Sequence, residues 1–495
     1  DVGDFSAILP AAVLVFGILG VLLTDLLGRG RRPVFPILVA LAALASAAVT
    51  SWLGPRTETG TFLGVLRVDD FGVAFTVFCC VTGLVTILAT TRGEAFRRPG
   101  GEFLVLILVA VLGMSILSVA VDLVTLYLAF ETVSIPAYVL VGMRRADRKA
   151  NEASMKYVLF GAVSSAMMLY GLSLLVGLAG TTSLDGLAVA VEAGAASQPA
   201  FLVAAILVFA GFAFKISAVP FHFWAPDVYA GAPASVGGFL AVASKAAGFA
   251  ALVRVVGATV QVVPDAADPL TTFAYTGNAF ILAISIAAVL TMTVGNLGAL
   301  RQREIKRLLA WSSIAHAGYI LLALAVWSSL GATALVVYLI AYLFMNLGAF
   351  LIAGIVIRER GTGDLKAFRG LGTQSPYLAV GLAIVLFSLT GLPPFLGFVG
   401  KVSVFYAVFS KGYLWLGVIG LLNGVISLYY YAKVLVSMYL DQPEAGEVPA
   451  QAFRFRFADR LLCAVLVLPI LVFGIFWSGV WDVAQSVVPS LFGGG

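Results

Sequence analysis

Charge is scarce in this chain. Asp, Glu, Lys and Arg make up 11% of its 495 residues, where a soluble domain carries about a quarter. Hydrophobic residues reach 61% and the mean hydropathy is +1.05. Such a chain cannot clothe a water-exposed surface, which excludes a soluble enzyme and leaves an all-α polytopic membrane protein. Cysteine and histidine are nearly missing as well. Cys79, Cys80 and Cys463 stand in apolar runs without the C-x-x-C spacing that holds zinc or an iron–sulfur cluster, and read as small core residues. His222 and His316 could in principle ligate one b-type haem between two helices, but two histidines in so long a chain are slim ground for it. No basic tail is present to grip nucleic acid. Asp1 and Asp4, not basic residues, precede the first apolar run, and Arg29, Arg31 and Arg32 follow it, so that run is expected to stay as a span and not to be cleaved as a signal.

What is present is apolar length. Runs of roughly 20 residues, enough to cross a bilayer, predict fourteen spans, at about 5–27, 34–53, 71–90, 103–121, 122–141, 157–178, 201–223, 235–257, 273–294, 306–327, 333–357, 377–407, 413–439 and 460–482. Asp122 marks a very tight turn between the fourth and fifth. Of the 30 basic residues, 22 fall in the odd-numbered loops, and the even-numbered loops hold only Arg56, Arg67 and Lys411. By the positive-inside rule both termini lie on the outer side. The remaining five, Lys215, Lys245, Arg254, Lys401 and Lys433, lie within spans.

One stretch organises the rest. From Phe212 to Ser235 the sequence reads FAFKISAVPFHFWAPDVYAGAPAS, with Lys215 in an apolar run and Pro220 five residues on. Pro220 withholds an amide from the carbonyl of Ile216, so a helix must break beside a charge. A broken helix at membrane depth is tolerated only where protein or a water-lined cavity satisfies the freed backbone. Span twelve, FSLTGLPPFLGFVGKVSVF, repeats the theme with Pro393, Pro394 and Lys401. Five spans separate the two breaks, so a repeated five-helix unit inserts upside down, an architecture of transporters. The expected division is a three-helix segment at 1–102, inverted repeats at 103–257 (spans four to eight) and 273–439 (spans nine to thirteen), and a last helix at 460–482.

The ionisable residues inside spans carry the chemistry. Glu131, mid-span five in LAFETVSIPAYVL, costs about 2.5–3.5 kcal/mol or more if left unpaired, and Lys215 is the natural cation for it. The two could form an inert pair between helices or a switch. Burial disfavours an ammonium and a nearby carboxylate favours it, so moving Glu131 relative to Lys215 would make the lysine hold or release its proton. Lys245, in GFLAVASKAAGFAALV, is too deep to snorkel easily and stands among small residues that let other backbones approach. Gly400-Lys401 echoes the end of a phosphate loop, but Phe395 stands where its first glycine belongs and Val402 replaces Ser or Thr. Lys401 reads better as a terminal proton carrier. If it begins the second half-helix, its ammonium meets the positive amide end of that helix. His316, beside Ser312, Ser313 and Tyr319, is either a bridge between Lys245 and Lys401 or a hydrogen-bonded packing residue. Asp227 either steadies the broken helix or forms part of a proton inlet. Glu152 and Lys156, four apart, share one helical face, as surface decoration or as a site of proton uptake. His222 has a structural role, and Lys433 snorkels.

PFHFWAPDVYAGAP, LAFETVSIPAYVL, NEASMKYVLFGA, IKRLLAWSSIAHAGY and LTGLPPFLGFVGK, five motifs in order, resemble the antiporter-like membrane subunits of respiratory complex I, the proton-pumping NADH:quinone oxidoreductase, over about residues 5–480. Fourteen spans leave no room for the long lateral helix of one such subunit, and Lys401 stands where another carries glutamate. The resemblance implies two inverted five-helix repeats, each with one discontinuous helix. It also implies that Glu131 and Lys215 are the coupling pair, Lys245 the central relay and Lys401 the lysine at the exit side. It implies no cofactor in this chain. FMN, iron–sulfur clusters and quinone chemistry belong to partner subunits, and the neighbours are other complex I membrane subunits in a bacterial plasma membrane. A cation/proton antiporter subunit of the Mrp type, which shares the fold, is the alternative, and a structural subunit that has lost pumping is a third.

Overall fold

In the computed structural model the described residues are 7–28, 34–56, 62–91, 100–260, 278–442 and 457–492. The basic stretches 29–32 and 92–98 and residues 454–456 of the last one, used above to orient the chain, lie outside them. Spans one to six are Leu9–Gly28, Val34–Leu53, Asp70–Thr90, Gly101–Val119, Leu123–Val141 and Arg148–Ala179. Span seven is Pro199–Ile216 followed by a short helix, Trp224–Gly231, and span eight runs Ala234–Thr259. Spans nine to eleven are Asn278–Leu300, Ile305–Ala325 and Ser329–Arg360. Span twelve is two half-helices, Pro376–Thr390 and Leu396–Ser410, and spans thirteen and fourteen are Leu414–Tyr439 and Phe457–Ile475. These are the fourteen expected spans, and four to eight and nine to thirteen form the inverted repeats.

The differences have local causes. Span six begins at Arg148 because Asp147 caps it, its carboxylate accepting from the Lys149 amide at 2.9 Å. Span eleven begins early for the same reason: the Ser328 hydroxyl accepts from the Gly331 amide at 3.1 Å. Asp122 caps span five through the Val124 and Thr125 amides, leaving only three residues for the turn from span four. Span fourteen stops at Ile475, seven residues short of the expected end, and the amphipathic continuation forms a separate helix, Ser478–Val487. A further short helix, Leu184–Glu192, lies between spans six and seven, where no element was expected.

Both breaks use one backbone device. After Ile216 the chain takes a left-handed residue, Ser217 at φ 61°, and the Ala218 amide donates back to the Ala213 carbonyl at 2.7 Å. After Thr390 the left-handed residue is Gly391 at φ 87°, and the Leu392 amide donates to the Phe387 carbonyl at 3.1 Å. This is the Schellman closure, which satisfies carbonyls a helix end would leave orphaned. Other freed amides find side chains: Val219 donates to Thr291 Oγ1 of span nine at 2.9 Å, and Gly397 to Ser388 Oγ at 2.9 Å.

Spans eight, ten and eleven are buried almost end to end, whereas one, two, six, thirteen and fourteen turn most of their surface outward. A helix apolar on all sides belongs in an interior, so polar residues on the three central spans are enclosed by protein. Span eight loosens into a π turn, Leu240–Ser244, immediately before Lys245. Such turns interrupt α-helices mostly in short pieces at functional places.

Candidate functional site

The first cluster is built by spans five, six and seven. Ser134 follows Glu131 by three residues, so both point from one side of span five. Ser165 on span six donates to Glu131 Oε1, and the Tyr127 hydroxyl lies 3.0 Å from Ser165 Oγ. Lys215, 2% exposed, occupies the last turn of the half-helix before the break. Its Nζ donates to Ser134 Oγ at 2.8 Å and to the Phe130 carbonyl at 3.3 Å, and it lies 4.3 Å from the centre of the Phe130 ring. Glu131 and Lys215 thus approach the same side of span five, but Ser134 holds the ammonium and no ion pair closes between the two. Glu131 itself is only half-buried.

The second cluster lies between spans eight, ten and eleven. Lys245 is fully enclosed, and its Nζ donates to both the carbonyl and the hydroxyl of Ser313, at 2.7 and 2.6 Å. The Tyr342 hydroxyl donates to the same Ser313 Oγ at 2.7 Å. One turn along span ten, His316 Nδ1 lies 2.7 Å from the Tyr338 hydroxyl and Nε2 lies 3.3 Å from that of Tyr431, which is 2.5 Å from Ser312 Oγ. Both nitrogens of His316 therefore face tyrosines.

Lys401 makes the third cluster, and here an expectation is corrected. It is the sixth residue of the half-helix Leu396–Ser410, yet its side chain folds back across the break and donates to the Thr390 carbonyl at 2.7 Å. The ammonium thus sits at the carbonyl end of the first half-helix and not at the amide end of the second. Gly391 leaves room for this, because a Cβ there would stand 2.6 Å from Lys401 Cδ. The Tyr319 ring lies 4.8 Å from Nζ.

The remaining candidates divide. Glu152, Lys156 and Asp227 come together: Lys156 Nζ lies 2.7 Å from Glu152 and 2.6 Å from Asp227, and Arg307 of span ten reaches Asp227 at 2.7 Å. Arg307 was missed in the sequence because it lay in a loop counted only for its charge. Arg254 clamps Asp69, the cap of span three, through two nitrogens at 2.9 and 2.6 Å, and donates to the Ser118 carbonyl at 2.7 Å. His222 is packed against the Phe223 and Trp311 rings. Lys433 is exposed and caps the Gln302 carbonyl at 3.2 Å. Ser313 stood out beside His316 in the sequence, and the residues hardest to find beforehand are the other hydroxyls, Ser134, Ser165, Tyr338, Tyr342 and Tyr431. Their one signal was the tyrosine pair at 338 and 342, four apart on one face of span eleven.

Comparison with known proteins places this arrangement. A sequence family described as "NADH:quinone oxidoreductase/Mrp antiporter, TM" matches residues 120–427. The chain is 42% identical over 489 residues to the NADH-quinone oxidoreductase subunit N of Anaeromyxobacter sp. (strain Fw109-5), covering 95% of this chain and 93% of that one. It is 41% identical over 460 residues to the subunit N of Moorella thermoacetica, covering 92% of each. Among solved structures, a chain of respiratory complex I from Thermus thermophilus superposes with a TM-score of 0.79 at 32% identity, over 96% of this chain and 100% of that one. A chain of the Mrp complex from Dietzia sp. superposes at 0.80 with 22% identity, over 98% of both, and shares the fold.

Proposed function

The chain belongs to the NADH:quinone oxidoreductase/Mrp antiporter family of membrane subunits, and on that premise we propose that it serves as subunit N of a respiratory complex I, moving protons across the membrane while partner subunits oxidise NADH and reduce quinone. Flavin, iron–sulfur clusters and quinone belong to those partners. The chain sits in a bacterial plasma membrane with both termini outside, beside another antiporter-like subunit and small membrane subunits. The division into 1–102, 103–257, 273–439 and 460–482 is part of the same reading.

One observation carries the proposal. Lys215, Lys245 and Lys401 are 2%, 0% and 6% exposed, and each ammonium is held by uncharged oxygens: Ser134 and Phe130, Ser313, and Thr390 respectively. A structural lysine at this depth would be expected to close an ion pair, because an uncompensated buried charge is strongly destabilising. Lysines held by hydroxyls and carbonyls can gain and lose a proton without breaking a pair. Glu131 is the switch beside Lys215, Lys245 the central carrier, His316 with its tyrosines the bridge, and Lys401 the last carrier.

The test is the assembled complex in liposomes carrying Lys245→Met. NADH-driven acidification should fall steeply while NADH oxidation by an artificial acceptor at the partner subunits is unchanged; full acidification would sink the assignment. The Mrp-type reading rests on shared fold at 22% identity, against relatives about twice as similar that are subunit N. It would be favoured only by sodium exchange without NADH oxidation.

A further inference from the structure

A cavity of about 120 Å³ lies at the far end of span eight, on the face where spans four and ten also finish. It is lined by Val253 and Arg254 of span eight, Asp185 of the short helix Leu184–Glu192, Arg67 just before span three, Trp327 in the turn after span ten, and Leu491 in the last turn of the chain. Lys245 is nine residues back from Arg254, about 13 Å along the helix, so the cavity is separate from the clusters described above. In the orientation proposed above, this face is the outer one. Arg67 and Asp185 are 32% and 63% exposed, and the cavity opens on their side.

The unused polar capacity here is one-sided. Arg254, 6% exposed, uses its Nε hydrogen on the Ser118 carbonyl and one hydrogen of each amino nitrogen on Asp69. A guanidinium has five N–H bonds, so one on each amino nitrogen has no protein acceptor among the described residues. The enclosed Nε1 of Trp327 has none either. An indole only donates, and only an acceptor can satisfy it. The two carboxylates at hand are engaged: Asp69 by Arg254, and Asp185 by Arg67, both at 2.6 Å. A buried donor left unfilled costs about 1–3 kcal/mol. Water would bring as many donors as acceptors into this space; an oxyanion brings acceptors alone.

An enclosed water takes about 10–15 Å³ on this scale, so there is room for roughly eight waters, or for a group of about as many heavy atoms. Guanidinium and phosphate form charge-assisted hydrogen bonds, which are stronger than neutral ones. Val253 and Leu491 add apolar wall that a bare phosphate would leave unused and a glycerol backbone would cover. We propose that this cavity binds a phosphate group, with Arg254 and Trp327 donating to its oxygens, and that a phospholipid headgroup of the adjoining leaflet supplies it. Arg67, Arg254, Asp69 and Asp185 sum to zero charge, so the hold comes from aimed donors and not from a net field. A phosphate held in this way ties span eight to the turn between spans ten and eleven. The inference does not depend on the lysine relay.

The experiment uses the full assembled complex, stripped of loosely held lipid, with Trp327→Phe and Ala188→Leu. Phenylalanine removes the N–H and keeps a ring beside Gly257 and Phe492. Ala188 lines the cavity from the short helix, and leucine there fills it. Thermal unfolding is titrated with phosphatidylglycerol, with diacylglycerol of the same chains, which lacks the phosphate, and with inorganic phosphate. Phosphatidylglycerol should raise the unfolding temperature of the parent and diacylglycerol should not. The half-saturating concentration should rise about tenfold in Trp327→Phe, as for one lost hydrogen bond to a charged group, and further in Ala188→Leu. Lipid bound elsewhere acts equally on all three proteins, so the difference reads this cavity. A high-resolution map of the parent should show phosphate density between Arg254 and Trp327, continuous with acyl chains. Phosphate density without chains, together with a full shift from inorganic phosphate, keeps the site and makes free phosphate its source. Water alone in the cavity, or equal titrations of the parent and Trp327→Phe, overturns the proposal.

Discussion

In span seven the half-helix closes at Ile216 on a left-handed serine, and in span twelve it closes at Thr390 on a left-handed glycine, with the same 6→1 backbone bond in each. At the second break the Lys401 ammonium ends on the carbonyl end of the first half-helix, where the helix dipole is negative, whereas Lys215, in the last turn of its half-helix, sends its ammonium to Phe130 and Ser134 of span five. The routes differ. Lys215 belongs to the half-helix that ends at its break, while Lys401 belongs to the one that follows its break and reaches back. The company differs too: Lys215 has Glu131 nearby, whereas spans nine, ten, twelve and thirteen contain no Asp or Glu at all and span eleven has one only at its end, Glu359. One backbone device therefore serves two electrostatic settings. The first break can be biased by a carboxylate in its own repeat; the second can respond only to the charge of its neighbours.

The sharpest way to separate the halves is through their anchors. Arg254 of span eight is buried and bidentate on Asp69, while Lys433 of span thirteen is exposed on a single carbonyl. Arg254→Met should destabilise the subunit by about 3–5 kcal/mol, because it strands a buried carboxylate. Lys433→Met should change stability by less than about 0.5 kcal/mol. Thermal unfolding of the purified assembly reads both, and equal losses would show that the first repeat is not specially tied to the N-terminal segment. Next in size are the lysines themselves. Lys215→Leu and Lys401→Leu should each slow proton transfer by roughly 10²-fold or more, as expected when a proton-carrying group is lost. Acidification in liposomes checks this. A strong loss from one with full pumping from the other would break the equivalence of the two breaks.

What the sequence made legible was whatever depends on one segment at a time. Span length, the helix-stopping effect of Pro220 and Pro394, and the depth of Glu131 and Lys245 all follow from local composition. What it hid depends on how helices face one another. That Lys401 folds back follows from room at Gly391, and that Ser134 holds Lys215 in place of Glu131 follows from the rotation of span five against span seven. The grouping of Glu152 and Lys156 with Asp227 and Arg307 needed three segments to meet. Hydroxyls are the least visible class, because a serine that packs and a serine that binds an ammonium look alike until a partner is known.

Glu131→Gln addresses the difference in electrostatic setting directly. It keeps the hydrogen bond with Ser165 and removes only the charge, so pumping should fall by about tenfold, the effect of a coupling near 1.4 kcal/mol, with the fold intact. Unchanged proton flux would mean that the two breaks are alike and the carboxylate idle.

The smallest effect is expected at Asp227. It stands seven residues after Pro220, and Lys401 stands seven after Pro394, so the two breaks place opposite charges at the same step. Lys401 is enclosed, but Asp227 is 27% exposed and shares Lys156 and Arg307, whose side chains are 38% and 44% exposed. Water screens such pairs to about 0.2–1 kcal/mol each, and in Asp227→Asn Lys156 keeps Glu152. Stability should fall by about 1 kcal/mol at most, and protons per NADH should stay unchanged, since an outer clamp carries no proton. Measured side by side, normal pumping in Asp227→Asn and abolished pumping in Lys401→Leu would establish that the register is shared and the role is not. A pumping loss in Asp227→Asn would instead make this cluster the inlet and bring the two breaks closer in function than their burial suggests.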